Sequence, residues 1–99
     1  MKRRIFKYKL KREVEQTIEL PSNAEILCVK YDEDKHDICI WAIIDVTEKT
    51  VVPMKFFIIG TGWDIEEILS KYDLFYLGTI KEGIYIWHIF SECPQTIES

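Results

Sequence analysis

Seven short runs of strand-forming residues constrain the fold of this chain more than any other feature. The clearest covers residues 5–10, where Phe6, Tyr8 and Leu10 alternate with lysines. A period of two is typical of a strand with one buried face. The other runs are separated by polar or turn-forming residues and span 14–20, 25–31, 38–44, 51–59, 74–80 and 84–90. Their mostly short connections predict antiparallel pairing.

Alternation also predicts which side chains of the second and third runs face the core. The inward-facing residues occupy every second position, because successive side chains of a strand point to opposite faces. They are Val14, Gln16, Ile18 and Leu20 in the second run, and Leu27, Val29 and Tyr31 in the third.

Three runs, 38–44, 51–59 and 84–90, are apolar on both faces. Such strands are either central strands covered by other layers or strands that meet a second subunit. Pro53 cannot donate a ladder hydrogen bond, so we expect an edge or a bulge at its end of the strand. The pattern leaves both explanations of the doubly apolar runs open.

One short helix is predicted near residues 64–72. Asp64 precedes Glu67 by three positions, which is the spacing of a capping box with Asp64 as the N-cap. Apolar residues then recur at helical spacing, at Ile65, Ile68, Leu69 and Tyr72. A helix of this length is marginal alone, so its apolar stripe must pack against the sheet.

These elements predict a mainly β (β-rich α+β) fold. It consists of about seven antiparallel strands in a small sandwich or barrel, with the one short helix. A chain of 99 residues has the size of one domain, so we assign residues 1–99 to a single domain. Residues 91–99 follow the last predicted strand and are expected to be a flexible tail.

Composition and charge exclude several classes of function. A net charge of -4 disfavours a nucleic-acid-binding protein with a dominating basic face. The three cysteines lack C-x-x-C spacing, which argues against both a disulfide framework and a zinc site. No run reaches membrane-spanning length, and lysines interrupt any signal segment after the basic start. We therefore expect a soluble intracellular protein without a metal, a cofactor or a membrane partner.

The candidate binding feature is Gly60-Thr61-Gly62, which joins an apolar strand to the predicted helix. The amides and the Thr61 hydroxyl could hold a phosphate or carboxylate at such a turn. The alternative is a tight turn that needs positive φ, with Thr61 bonded to the backbone. Three carboxylates follow at the helix start and favour the turn. A bound anion would need a cation from elsewhere, and Arg12 is one candidate.

Trp63 directly follows this turn, so we expect an exposed ring on which a base, a sugar or a partner protein can stack. Trp41 and Trp87 lie in apolar strands and are expected in the core. His88 stands beside Trp87, where a lone histidine is typical of a core or interface residue and metal or general-base chemistry is the alternative. The ligand-binding candidates are Gly60, Thr61, Gly62, Trp63, Arg12 and His88. No catalytic residues are identified, because no groups are arranged for acid–base or nucleophilic work.

An ordered series of motifs runs through nearly the whole chain. They are FKY at 6–8, EQTIELP at 15–21, AEILCV at 24–29, IWA at 40–42, IGTG at 59–62, YLGTI at 76–80 and WHIF at 87–90. This series resembles a family of short, functionally uncharacterised proteins of tailed phages and prophages. Members of that family tend to have histidine after Gly-Thr-Gly, where this chain has Trp63. The resemblance implies a viral protein made in the host bacterial cytoplasm, and it supplies no activity.

We therefore expect a small, phage-encoded, non-enzymatic and homo-oligomeric binding protein that counters host defence. Its ligand would be a nucleotide immune signal, which it sequesters at the turn beside Trp63. One alternative is an inhibitor that docks on a host defence protein by strand addition or through a flat acidic face. Another is a structural or accessory phage component.

Overall fold

The chain folds into two antiparallel β-sheets, which a computed structural model describes for residues 1–93. The elements are β1 (Arg3–Leu10), β2 (Glu15–Pro21), β3 (Glu25–Asp32), β4 (Asp37–Asp45), β5 (Val51–Gly60), α1 (Glu66–Lys71), β6 (Leu74–Glu82) and β7 (Tyr85–Glu92). One sheet has the strand order β1-β4-β3 and the other has the order β2-β5-β7-β6. The sheets stay separate, so the predicted mainly β fold is confirmed in its sandwich form.

Apolar side chains from both sheets meet in one core. Ile38 and Ile40 of β4 face Phe56 and Ile58 of β5, and all four are at most 2% exposed. Ile89 of β7 joins them. Complete burial of one such side chain stabilises a folded protein by about 1.5–3 kcal/mol. Burial of these alternate positions therefore holds the two sheets together.

The three runs that are apolar on both faces are all central strands. β4 lies between β1 and β3, β5 lies between β2 and β7, and β7 lies between β5 and β6. Phe57 and Ile59 point away from the first sheet and are buried as well. The ring of Phe57 lies 5.1 Å from that of Tyr72, which follows α1. The segment of α1 and Tyr72 thus covers part of the outer face of the four-stranded sheet.

The expected edge at Pro53 is also confirmed. Pro53 pairs with Glu19 of β2, whereas the pairing of β5 with β7 begins only at Phe56. Within residues 1–93, no strand pairs with Pro53 on the side of β5 away from β2. A residue without an amide hydrogen is tolerated at such a position.

The inward face of β3 differs from the prediction at one residue. Leu27 is 44% exposed, so the prediction that it faces the core is wrong. The register between β3 and β4 shifts between Ile26 and Cys28, which makes Leu27 the extra residue of a β-bulge. Ile26 packs against the core in its place, and Val29 faces inward as predicted.

In β2, Ile18 and Leu20 face the core as predicted. Val14 lies before the strand and its side chain is exposed, so its predicted inward position is wrong. Its carbonyl oxygen nevertheless accepts a hydrogen bond of 3.1 Å from the amide of Ile58. Gln16 folds back on the loop before β2, where its Oε1 accepts a hydrogen bond of 2.7 Å from the amide of Lys11.

The helix lies inside the predicted range, but the capping box is wrong. The N-cap is Ile65, and the Asp64 carboxylate accepts a hydrogen bond of 3.0 Å from the amide of Glu66. Glu67 does not complete a box, because its carboxylate accepts a hydrogen bond from Lys71 one turn later. Leu69 of the predicted stripe is exposed. The other members of the stripe, Ile65, Ile68 and Tyr72, are half-buried, and Tyr72 anchors the segment just after the end of the helix.

Tyr72 is attached to the sheet through Lys55 of β5. The Lys55 ammonium lies 3.1 Å from the Tyr72 hydroxyl and 2.9 Å from Oε2 of Glu15 in β2. These two partners raise the pKa of Lys55, with Glu15 the larger cause. One lysine therefore links β2, β5 and the chain that follows α1.

The last strand continues beyond its predicted end at residue 90. β7 ends at Glu92, and Ser91 is buried, so residues 91 and 92 of the expected tail belong to the sheet. The rest of that tail, residues 94–99, lies outside the described residues. Gly83, with φ of 59°, and Ile84 form the turn between β6 and β7. Within residues 1–93, no helix is long and apolar enough to cross a membrane.

The close contact between Gly78 of β6 and Val29 of β3 provides a test of the packing of the two sheets. A Cβ atom at Gly78 of β6 would lie 2.7 Å from Cγ1 of Val29 in β3. We expect Gly78→Ala to lower the free energy of unfolding by about 1–3 kcal/mol, because the extra methyl forces the sheets apart. Denaturant unfolding monitored by tryptophan fluorescence measures the change.

Val29→Ala provides the matched background for this substitution. Removing the Val29 methyl groups opens space for the new Cβ, so the penalty of Gly78→Ala should shrink in the double variant. An equal penalty in both backgrounds would show that this contact is not its cause.

Candidate functional site

The strand-to-helix connection at Gly60–Trp63 is a tight turn. The amide of Trp63 donates a hydrogen bond of 3.1 Å to the carbonyl oxygen of Gly60. Gly62 has φ of 87°, a conformation that favours glycine. The amide of Thr61 donates to the carbonyl oxygen of Ile86 in β7 at 3.3 Å. Because these amides bond within the protein, the geometry fits a structural turn better than an anion cradle.

Trp63 lies on the backbone of Gly60. A Cβ atom at Gly60 would stand 2.6 Å from Cε2 of the indole, so only glycine leaves room for this contact. The indole of Trp63 meets that of Trp87 edge-on, with 5.6 Å between ring centroids. Tyr85 stacks on Trp87 at 5.5 Å with an interplanar angle of 15°. We call Trp63, Trp87 and Tyr85 the aromatic row.

A carboxylate connects the aromatic row to Arg12. Oε1 of Glu82 accepts hydrogen bonds from Nε1 of Trp87 at 3.0 Å and from Nε of Arg12 at 2.9 Å. A terminal nitrogen of Arg12 also binds the second oxygen of Glu82 and the carbonyl oxygen of His36. Arg12, with a smaller contribution from Trp87, lowers the pKa of Glu82 to about 2. Glu82 is therefore ionised and held in one orientation.

Two further polar side chains lie beside this ion pair. Arg12 reaches the turn between β3 and β4, where His36 has φ of 57°. Nδ1 of His36 lies 3.0 Å from the hydroxyl of Tyr31 in β3. Arg12, Glu82, Tyr31 and His36 form what we call the polar rim of the aromatic row. It joins side chains from both sheets at one end of the sandwich.

His88 is part of a separate chain of hydrogen bonds on the outer face of the four-stranded sheet. Its Nε2 lies 2.7 Å from Oγ1 of Thr61, and its Nδ1 lies 3.1 Å from Oγ1 of Thr79. The Tyr76 hydroxyl contacts the same oxygen of Thr79. Trp87 precedes His88 and packs against the core, so the two rings lie on opposite faces of β7.

All six candidate residues lie at this end of the sandwich, with His88 and the Thr61 hydroxyl on the opposite face of the sheet from the aromatic row. Trp63 stands on Gly60, and Arg12 is connected to Trp63 through Glu82 and Trp87. Thr61 touches His88, and Gly62 supplies the turn. The connections run through side chains of β6, β7 and two loops and through the backbone of β5 at Gly60.

Sequence reasoning missed Glu82, Tyr31 and Tyr85, and it assigned Trp87 to core packing alone. Trp87 does pack against the core, but it also forms the centre of the aromatic row. Tyr85 and Trp87 are two positions apart in one strand, and this spacing predicts that both aromatic side chains lie on the same face. The partners of Glu82 lie 70 and 5 residues away in sequence, so no local pattern indicated its role.

A family model confirms that the chain resembles a family of unknown function. The model for the domain of unknown function DUF7352 matches residues 1–98. The chain belongs to this family. No curated protein and no solved structure matches the chain.

Chemically, the site of this DUF7352 domain combines ring faces with hydrogen-bonding groups. Trp63 and Tyr85 expose half or more of their surface, at 50% and 57%. Among residues 1–93, no three His, Cys, Asp or Glu side chains are grouped as metal ligands. The arrangement is suited to stacking against a planar group, with Arg12 at the side to contact a negative charge.

The lowered pKa of Glu82 predicts a pH dependence of stability. Its pKa falls from 4.5 to about 2 on folding, so unfolding takes up a proton between these values. The free energy of unfolding should therefore fall as the pH drops from about 4.5 towards 2. Glu82→Gln should remove that part of the dependence, as measured by denaturant unfolding at a series of pH values.

Glu19→Gln, at an exposed position of β2, is the control and should keep the wild-type dependence. The quantity compared is the change of unfolding free energy with pH, since other carboxylates also titrate in this range. Identical curves for the wild type and Glu82→Gln would contradict the assigned ion pair.

Proposed function

We propose that this protein is a non-enzymatic binding protein whose aromatic row stacks against a planar ring of its ligand. The observation that carries the proposal is the half-exposure of Trp63 and Tyr85 on either side of Trp87. Fully packed core aromatics would be covered, whereas these rings offer faces to a ligand. Stacking of a base on an aromatic side chain contributes roughly 1–3 kcal/mol.

A nucleotide is the ligand class that fits the row and its rim together. The base would stack on the row, and Arg12 would contact the phosphate. The Arg12 side chain is 38% exposed, and within residues 1–93 its second terminal nitrogen has no hydrogen-bond partner. Glu82 already balances the charge of Arg12, so stacking would supply most of the affinity.

We extend the proposal to the biological role that the sequence suggests. The motifs that resemble those of tailed-phage and prophage proteins support a phage-encoded protein acting in the bacterial cytoplasm. A small binding protein of that origin would counter host defence by sequestering a nucleotide immune signal.

A second candidate is docking on a host defence protein, with a phage structural or accessory role as a further alternative. The observation that favours protein docking is the outer face of β6 and β7. Tyr76 and Ile86 are exposed there, and Phe90 lies between β5 and β6 on the same face. An apolar surface of this kind is typical of contacts between proteins.

The nucleotide proposal is tested by calorimetric titration with cyclic dinucleotides and ADP-ribose derivatives. We expect one of these ligands to bind and to alter tryptophan fluorescence. Trp63→Ala and Tyr85→Ala should each weaken binding by roughly 5- to 150-fold, which corresponds to about 1–3 kcal/mol of lost stacking.

Trp41→Phe is the matched control, because Trp41 lies in β4 of the other sheet. It should bind the ligand as tightly as the wild type does. If none of these compounds binds the wild-type protein, the nucleotide proposal is wrong. Co-purification of one bacterial protein would then support the docking candidate, and presence in purified virions would support the structural one.

We also propose that copies of the chain associate through the outer face of β6 and β7. Ile86→Glu places a charge on this face and should shift the sedimentation coefficient to that of an 11.8 kDa monomer. Ile5→Glu changes an exposed apolar residue of β1 in the other sheet and should leave association intact. A wild-type protein that stays monomeric at high concentration would refute self-association.

A further inference from the structure

We propose that Thr61 and His88 are positioning residues, which set the place of Trp63 from the opposite face of the sheet. Neither side chain needs to touch a ligand for this role. The effect on the packing of Trp63 stands on the geometry alone, whereas the effect on ligand affinity rests on the proposed function.

The turn that carries Trp63 is attached to β7 through Thr61. Its amide makes a hydrogen bond of 3.3 Å to the carbonyl oxygen of Ile86, which is long for a backbone bond. Its hydroxyl lies 2.7 Å from Nε2 of His88, which is the shorter of the two contacts. The side-chain bond is therefore the tighter attachment of this turn.

The imidazole of His88 is itself held in a defined orientation. Nδ1 lies 3.1 Å from Oγ1 of Thr79, and the hydroxyl of Tyr76 contacts the same oxygen. A neutral imidazole donates from one nitrogen and accepts at the other, and a hydroxyl can do either. Both ring nitrogens of His88 are thus used, and the ring cannot rotate without losing a bond.

Apart from this attachment, Trp63 is held by the hydrogen bond from its amide to the carbonyl oxygen of Gly60 and by the contacts of its indole. Gly62 separates Trp63 from Thr61 and has no side chain to pack. The indole is 50% exposed and rests on Gly60 and against Trp87. Releasing Thr61 would let the Gly60–Trp63 turn move, and the edge-on contact between the two indoles would be lost.

His88 lies on the face of β7 that points away from Trp87, so a ligand stacked on the aromatic row would not reach its ring. The chain Tyr76–Thr79–His88–Thr61 therefore acts on the site through the turn. This separates residues that contact the ligand from residues that hold the contacting side chain in place.

The test uses a signal that needs no ligand. The electronic transitions of two indoles as close as those of Trp63 and Trp87 couple. The coupling gives an exciton couplet, here called the band, in far-ultraviolet circular dichroism. Trp63→Phe and Trp87→Phe identify the band by removing it. We expect Thr61→Val and His88→Ala to lose most of the band, and His88→Gln to retain it, because the glutamine amide can replace Nε2.

Thr17→Val is the matched control, since Thr17 is an exposed threonine on β2. It should keep the band, and cooperative denaturant unfolding verifies that each variant is folded. A wild-type band in folded Thr61→Val and folded His88→Ala would overturn the proposal.

A second experiment measures the affinity for the cyclic dinucleotide or ADP-ribose derivative that binds the wild-type protein. Thr61→Val should weaken this binding by about 2- to 12-fold, the equivalent of one hydrogen bond. Unchanged affinity in a variant that has lost the band would overturn the positioning of the binding site by Thr61. If no such compound binds the wild type, the proposed function fails while the spectroscopic result still decides the role of Thr61 and His88.

Discussion

Mutual burial of the inner faces of two sheets is the constraint on which the rest of this structure depends. The side chains of Ile38, Ile40, Phe56, Ile58 and Ile89 are covered only because a three-stranded sheet lies over a four-stranded one. Neither sheet alone could remove these side chains from water, and their burial is the main favourable contribution to folding. The loops and the short helix then occupy positions that the packed strands allow.

The candidate site follows from this packing because it lies where the two sheets end. Trp87 packs partly into the core and partly into the aromatic row, so its orientation is set by the sandwich itself. Glu82 then connects Trp87 to Arg12, which comes from the loop between the sheets. The site thus combines a ring fixed by the sandwich at the centre with Trp63 on a turn that is hydrogen-bonded to β7, an arrangement that suits stacking with a ligand.

Sequence patterns predicted the strands well and the local irregularities poorly. Alternation placed Leu10, Ile18 and Val29 in the core, because a period of two is visible in any half-buried strand. It failed at Leu27, since a bulge shifts the register by one residue and the pairing partner is not visible in the sequence. The capping box at Asp64 failed for a different, local reason, because the Glu67 carboxylate accepts a hydrogen bond from Lys71 four residues later.

The sequence by itself determined the β-rich class, the Gly60–Trp63 turn and the exposure of Trp63, because these depend on periodicity and on residues adjacent in the chain. Only the tertiary structure decided that Arg12 reaches Glu82 and that His88 reaches Thr61. These contacts join residues 70 and 27 positions apart. Their formation depends on how the sheets stack and how β7 is paired, and neither is encoded in any local pattern.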